Sequence, residues 1–81
     1  MPGPQATAAI FGAAQGQLGM TDTDVWLAYL GVGGNASRRQ VRTWFTGAVE
    51  PGDHDHDLIA QVFNDRFVEE GMNHPVAYVI D

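Results

Sequence analysis

Eighty-one residues without a cysteine make one small domain, since a chain of this size buries only about 60% of its unfolded surface and has neither disulfides nor thiolate zinc sites to brace it. Hydrophobic residues at 44% and charged residues at 17% mark a globular chain; no apolar run reaches the ~18 residues of a membrane span, and no basic segment precedes an apolar one as in a secretory leader. A cytoplasmic, intracellular protein away from membranes is therefore expected, with a second copy of itself as the natural brace.

The net charge is −6 and there is no lysine, a balance that taken whole argues against nucleic-acid and membrane surfaces. Its distribution reverses that reading. Arg38, Arg39 and Arg42 lie in the acid-free segment 37–47, which carries +3, while the remaining arginine and all ten acids leave the rest of the chain at −9.

Residues 1–5 (MPGPQ) read as a flexible lead-in, after which Thr7 caps a helix from Ala8 to about Leu18. Ile10, Phe11, Ala14 and Leu18 form its apolar stripe. Gly12 and Gly16 each cost about 1 kcal/mol inside a helix, and with Ala8 they make a line of small residues. Thr21 followed by Asp24 predicts a capping box, with Asp22 and Asp24 at the positive end of the helix dipole. The helix it opens is apolar nearly all round from Val25 to Leu30, the pattern of a central, buried helix ended by Gly31.

Gly33, Gly34 and Asn35 form a turn. Ser37 then caps a third helix, Arg38 to Thr46, closed by Gly47 in the left-handed position. Val41, Trp44 and Phe45 follow the i, i+3, i+4 spacing and face inward. The outer face holds Arg39, Thr43 and Thr46, flanked by Gln40 and Arg42, with Arg38 in the first turn. Arginine pairs with guanine and phosphate, glutamine with adenine, and threonine offers a hydroxyl and a methyl, so this face has the chemistry to meet DNA. Its plain alternative is a solvated surface.

Glu50-Pro51-Gly52 is a turn, and Asp53 or Asp55 caps a fourth helix to about Glu70 with Leu58, Ile59, Val62, Phe63 and Phe67 as its core stripe. Gly71 ends it and His74-Pro75 breaks the chain again a few residues later. Residues 72–81 form a C-terminal strand segment, because Val76 to Ile80 (VAYVI) is β-branched and aromatic. No other segment of the chain reads as a strand. Val76, Tyr78, Val79 and Ile80 are therefore expected to pair with the same residues of a second copy as a dimerisation ribbon, or to extend a partner's sheet edge. An irregular tail packed on the helices is the plain alternative.

The order of these signals resembles a known family. Leu18-Gly19-Met20-Thr21, an apolar helix ending in Leu30-Gly31-Val32, and S-R-R-Q-V-R-T-W-F-T-G over Ser37–Gly47 are similar to the phage-repressor-like (Xre, or lambda-repressor-like) helix-turn-helix DNA-binding domains. The similarity covers Leu18 to Pro51, with Leu58 to Phe67 standing where the family has its next packing helix. The chain departs from the pattern at Gly33, Gly34, Asn35 and Ala36, four additional residues between the glycine-valine turn and the serine cap.

With the length of the chain and the strand composition of its end, the resemblance leads to the expectation of a single mainly α domain over 1–81, a compact four-helix helix-turn-helix with a short C-terminal β-strand. It implies a small sequence-specific DNA-binding protein, a repressor-like transcriptional regulator that binds double-stranded DNA as a homodimer. Helix 37–47 would enter the major groove with Ser37, Arg38, Arg39, Gln40, Arg42, Thr43 and Thr46 facing DNA, and Val41 and Trp44 holding the helix down. The alternative is a protein-binding adaptor or inhibitor on the same scaffold without DNA binding, which the net charge, the lengthened turn and the apolar end also fit.

Other chemistry is weak. Asp53-His54-Asp55-His56-Asp57 carries ligand types for zinc, nickel or copper, but alternate residues at a helix start point apart and the carboxylates are accounted for by the dipole. With no cysteine, no lysine-bearing phosphate loop and a lone serine that serves as a cap, no enzyme, cofactor or metal is expected.

Overall fold

The computed structural model describes residues 3–79. Four helices make up the fold: α1 (Pro4–Leu18), α2 (Asp22–Gly31), α3 (Arg38–Thr46) and α4 (Asp53–Glu69), with no strand among the described residues. Helix α1 packs on α3 and α4, and α2 packs on α4 and α3. None of these helices is long and apolar enough to cross a membrane.

Helix α1 begins earlier than its composition indicates. Pro4 occupies the first turn, where its fixed φ and missing N–H are tolerated, and Gly3 stands at the cap without a side-chain bond. Gln5 is thus helical, not part of a lead-in. Thr7 is not the cap either: it lies buried inside α1 and its hydroxyl donates to Glu50 Oε1 at 3.4 Å, tying the helix to the turn after α3. The inner face runs Thr7, Phe11 and Ala14, while Ile10, expected inside, is 47% exposed.

The predicted capping box opens α2. Thr21 Oγ1 accepts from the Asp24 N–H at 3.1 Å and Asp24 Oδ2 accepts from the Thr21 N–H at 3.0 Å. Hydrogen bonding to Thr21 holds the Asp24 carboxyl below its ordinary pKa, the backbone N–H contributing most. Val25 and Tyr29 are buried, yet Leu27 is 55% exposed, so α2 rests on its neighbours along one side and is not enclosed.

Aromatic rings fill the centre. Phe11 lies 5.3 Å from Phe45 and 6.1 Å from Phe63, and Tyr29 meets Trp44 edge-on at 5.7 Å. Each such pair adds about 0.5–1.5 kcal/mol beyond the area it buries. Through Phe45 and Trp44 these rings fasten α3 to α1, α2 and α4. In α4 the expected stripe of Leu58, Ile59, Val62, Phe63 and Phe67 is buried, and Gly52 stands at its cap with Asp53 and Asp55 in the first turn.

The C-terminal segment is where expectation and structure part. Residues 72–79 form no strand; side chains of α4 take the place of a pairing partner. Asn64, 0% exposed, donates from Nδ2 to the Val76 carbonyl at 2.8 Å and accepts the Val76 N–H on Oδ1 at 2.9 Å. This is the bond pair that a strand neighbour would supply. His56 Nε2 donates to the Ala77 carbonyl at 3.2 Å while its ring lies tilted against Phe11, and Asp57 Oδ1 accepts from the Val79 N–H at 2.6 Å. The Val76 N–H and carbonyl, the Ala77 carbonyl and the Val79 N–H are thus bonded to side chains of α4, and a ladder through these groups would have to displace those bonds.

Candidate functional site

Helix α3 has the bounds that its sequence predicts, and both ends show why. Ser37 Oγ accepts from the Gln40 N–H at 3.1 Å, Gln40 Oε1 accepts from the Ser37 N–H at 2.9 Å, and Gly47 closes the helix at φ 83°. Val41 and Trp44 are buried beneath it. Ser37, Arg38, Arg39, Gln40, Arg42 and Thr46 are exposed and Thr43 is half-buried, so all seven sequence-nominated residues are at least partly accessible, six on α3 and Ser37 at its cap.

Their side chains are not equally available. Ser37 and Gln40 are engaged in the reciprocal cap through oxygens that accept, which leaves the Ser37 hydroxyl proton and the Gln40 amide nitrogen as donors the cap does not use. Thr43 Oγ1 donates to the Gln40 carbonyl at 2.6 Å and Thr46 Oγ1 to the Thr43 carbonyl at 3.3 Å. The serine-x-x-glutamine spacing is the signal that marks Gln40 as a capping residue. The three arginines differ: among the described residues the side chain of none of Arg38, Arg39 and Arg42 makes a hydrogen bond or an ion pair. No carboxylate of those residues stands within 4.0 Å of them to take up their charge.

The segment 32–37 that joins α2 to α3 is fixed from both sides. Tyr29 Oη accepts the Ala36 N–H at 3.1 Å and donates to Asp55 Oδ1 at 2.8 Å. Trp26 Nε1 donates to the Ala36 carbonyl at 3.2 Å. Gly34 lies flat on the Tyr29 ring, where a Cβ would collide with Cζ and both Cε atoms. Burial pushes the Tyr29 phenol above its ordinary pKa, and the Asp55 carboxylate pushes it further. The four additional residues are therefore held in place, and the start of α3 with them. Sequence reasoning missed the roles of Tyr29, Trp26 and Asp55, which act across 7 to 26 residues of chain; the only local signal is Gly34.

A cleft of about 580 Å³ runs between α1, α2 and α3, with Val25, Trp26, Val41 and Phe45 along its floor and the three arginines at its α3 side. On the far side Gln15 Nε2 donates to Asp22 Oδ1 at 2.7 Å. Of the residues nominated for dimerisation, Val76 is buried in its own fold at 4% exposure, Tyr78 and Val79 are exposed near Ile10, and Ile80 lies outside the described residues. Among the described residues no three histidines or carboxylates group as metal ligands, Asp53–Asp57 included. Compared with protein-family models, with curated proteins and with solved structures, the chain matches none.

Proposed function

We propose that this chain is a sequence-specific DNA-binding protein, a repressor-like transcriptional regulator of the cytoplasm, in which α2 and α3 act as a helix-turn-helix and α3 enters the major groove. The observation that carries the reading is the set of three exposed arginines on one side of α3, free of any ion pair among the described residues, in a chain of net charge −6. Left bare, their guanidinium groups are ready for bidentate contacts to phosphate or guanine, and no internal pair has to be broken first.

The roles divide by availability. Arg38 in the first turn and Arg42 on the flank contact phosphate or a flanking base, while Arg39 at the centre of the outer face reads a base edge. Gln40 contributes through its amide nitrogen alone. Ser37 holds the end of the helix, and the methyls of Thr43 and Thr46 offer apolar contact to thymine. The anchored segment 32–37 serves the purpose of the short turn in the resembling family, fixing the angle between α2 and α3. A homodimer built on the exposed Tyr78, Val79 and Ile10 would place two copies of α3 about one helical turn, ~34 Å, apart on a palindromic site.

The test is substitution with affinity as the readout. Arg39→Ala is expected to lose ~1–3 kcal/mol on the preferred duplex and to relax discrimination at one base pair, whereas Arg42→Ala weakens all duplexes alike and lowers the salt slope by about one. Unchanged affinity in both variants overturns this reading, and the protein-binding adaptor then takes its place.

A further inference from the structure

The cleft between α1, α2 and α3 has a size and a lining that phosphate contacts alone leave unused. At about 580 Å³ it falls within the ~300–1,000 Å³ of small-molecule sites. Its floor of Val25, Trp26, Val41 and Phe45 is apolar. The Trp26 indole N–H is already bonded to the Ala36 carbonyl, so that ring meets the cleft as hydrocarbon. Gly12 lines the α1 side, and nothing lies within 4 Å of a Cβ built there.

Polar groups of opposite sign line the cleft from different helices. Arg38, Arg39 and Arg42 line the α3 side without ion pairs among the described residues. Asp22 lines the α2 side, bonded to Gln15. An occupant with an apolar body and one anionic end therefore has a single favourable orientation, its anion towards α3 and away from Asp22. We propose that the cleft binds an amphipathic organic anion, an aromatic or aliphatic body bearing one carboxylate, seated on the Trp26–Phe45 floor with the carboxylate held by the arginines. The guanidinium groups need give up no internal partner, and the bidentate contact adds to the burial of the body. Occupancy would also compete with DNA for the same arginines, a consequence that, unlike the binding itself, rests on the DNA reading.

Isothermal titration calorimetry of the full chain with naphthoate, with uncharged naphthylmethanol and with inorganic phosphate tests the assignment. Naphthoate is expected to bind saturably, one per chain, at least about tenfold more tightly than either control, because each control lacks one of the two features. Arg39→Gln combined with Arg42→Gln should weaken naphthoate about tenfold or more, towards the affinity of the alcohol. Gly12→Leu, which projects into open space, should abolish naphthoate binding while helical content and melting temperature are retained. Equal binding of acid and alcohol, indifference to Gly12→Leu, no naphthoate binding at all, or capture of an acidic helical peptide in its place would each overturn the proposal. Failure to bind DNA by a chain that binds naphthoate would remove the regulator reading and leave the cleft assignment standing.

Discussion

Replacing Tyr29 with phenylalanine deletes one oxygen and leaves the ring, so its cost isolates the clasp between α2, the connecting segment and α4. Two bonds are lost. Asp55, half-buried, recovers water on its freed oxygen, and the net loss there is about 0.5–1 kcal/mol. The Ala36 N–H is buried and has no other partner, and an orphaned buried donor costs about 1–3 kcal/mol. The ring keeps its edge-on contact with Trp44, so no cavity is added. The total is about 2–3 kcal/mol, dominated by Ala36, and in a domain of this size it lowers the melting temperature by roughly 10–20 °C. Circular-dichroism melts and urea titrations measure it, and hydrogen exchange should show the Ala36 amide losing protection first. Asp55→Asn, which keeps an acceptor for the phenol, should cost about 1 kcal/mol or less. A Tyr29→Phe protein within about 0.5 kcal/mol of wild type, or an Asp55→Asn cost equal to that of Tyr29→Phe, refutes the reasoning.

Three other contacts carry expected outcomes of their own. Asn64→Leu conserves volume but orphans both backbone groups of Val76; the tail should peel away before tolerating that, so the loss is capped by exposing the Val76 side chain, about 1.5–3 kcal/mol, and rapid proteolysis of residues 72–79 reports it. Gly34→Ala drives a methyl into a ring that two hydrogen bonds hold still, and urea titration should register about 1–3 kcal/mol of overpacking; a neutral result would mean that the ring moves. Because the Asp24 carboxyl is held below its ordinary value near 3.8, its stabilisation is present above that value and is lost as pH falls through the lower folded one; the stability gap between wild type and Asp24→Ala should therefore be full at neutral pH and close only on acidification.

The elements most legible in the sequence were those with local signals at both ends. Thr21 with Asp24, and Ser37 with Gly47, place α2 and α3 because a cap bonds within three or four residues of itself. Thr7 failed as a cap because Pro4 starts α1 earlier and burial claims the hydroxyl. The strand expected at Val76 failed for a related reason. Its composition asks for a backbone partner, and Asn64, which in a helix pattern reads as a surface residue, supplies one across twelve residues of chain. The candidate site was legible as a face and not as a set of available groups. Charge segregation marked the arginines, but the commitment of Gln40 to the cap, the clasp on Ala36 and the cleft beside α3 depend on contacts that charge and composition alone do not encode.

The central claim, that α3 binds DNA through its unpaired arginines, is met most directly by fluorescence anisotropy of the chain with labelled duplex from its own gene's upstream region beside a scrambled duplex, across a salt series. Saturable binding that prefers the upstream duplex is predicted, with affinity falling linearly in log salt at a slope of roughly −0.9 for each phosphate engaged. No binding at ~50 mM salt, where a few phosphate contacts would still register, contradicts it.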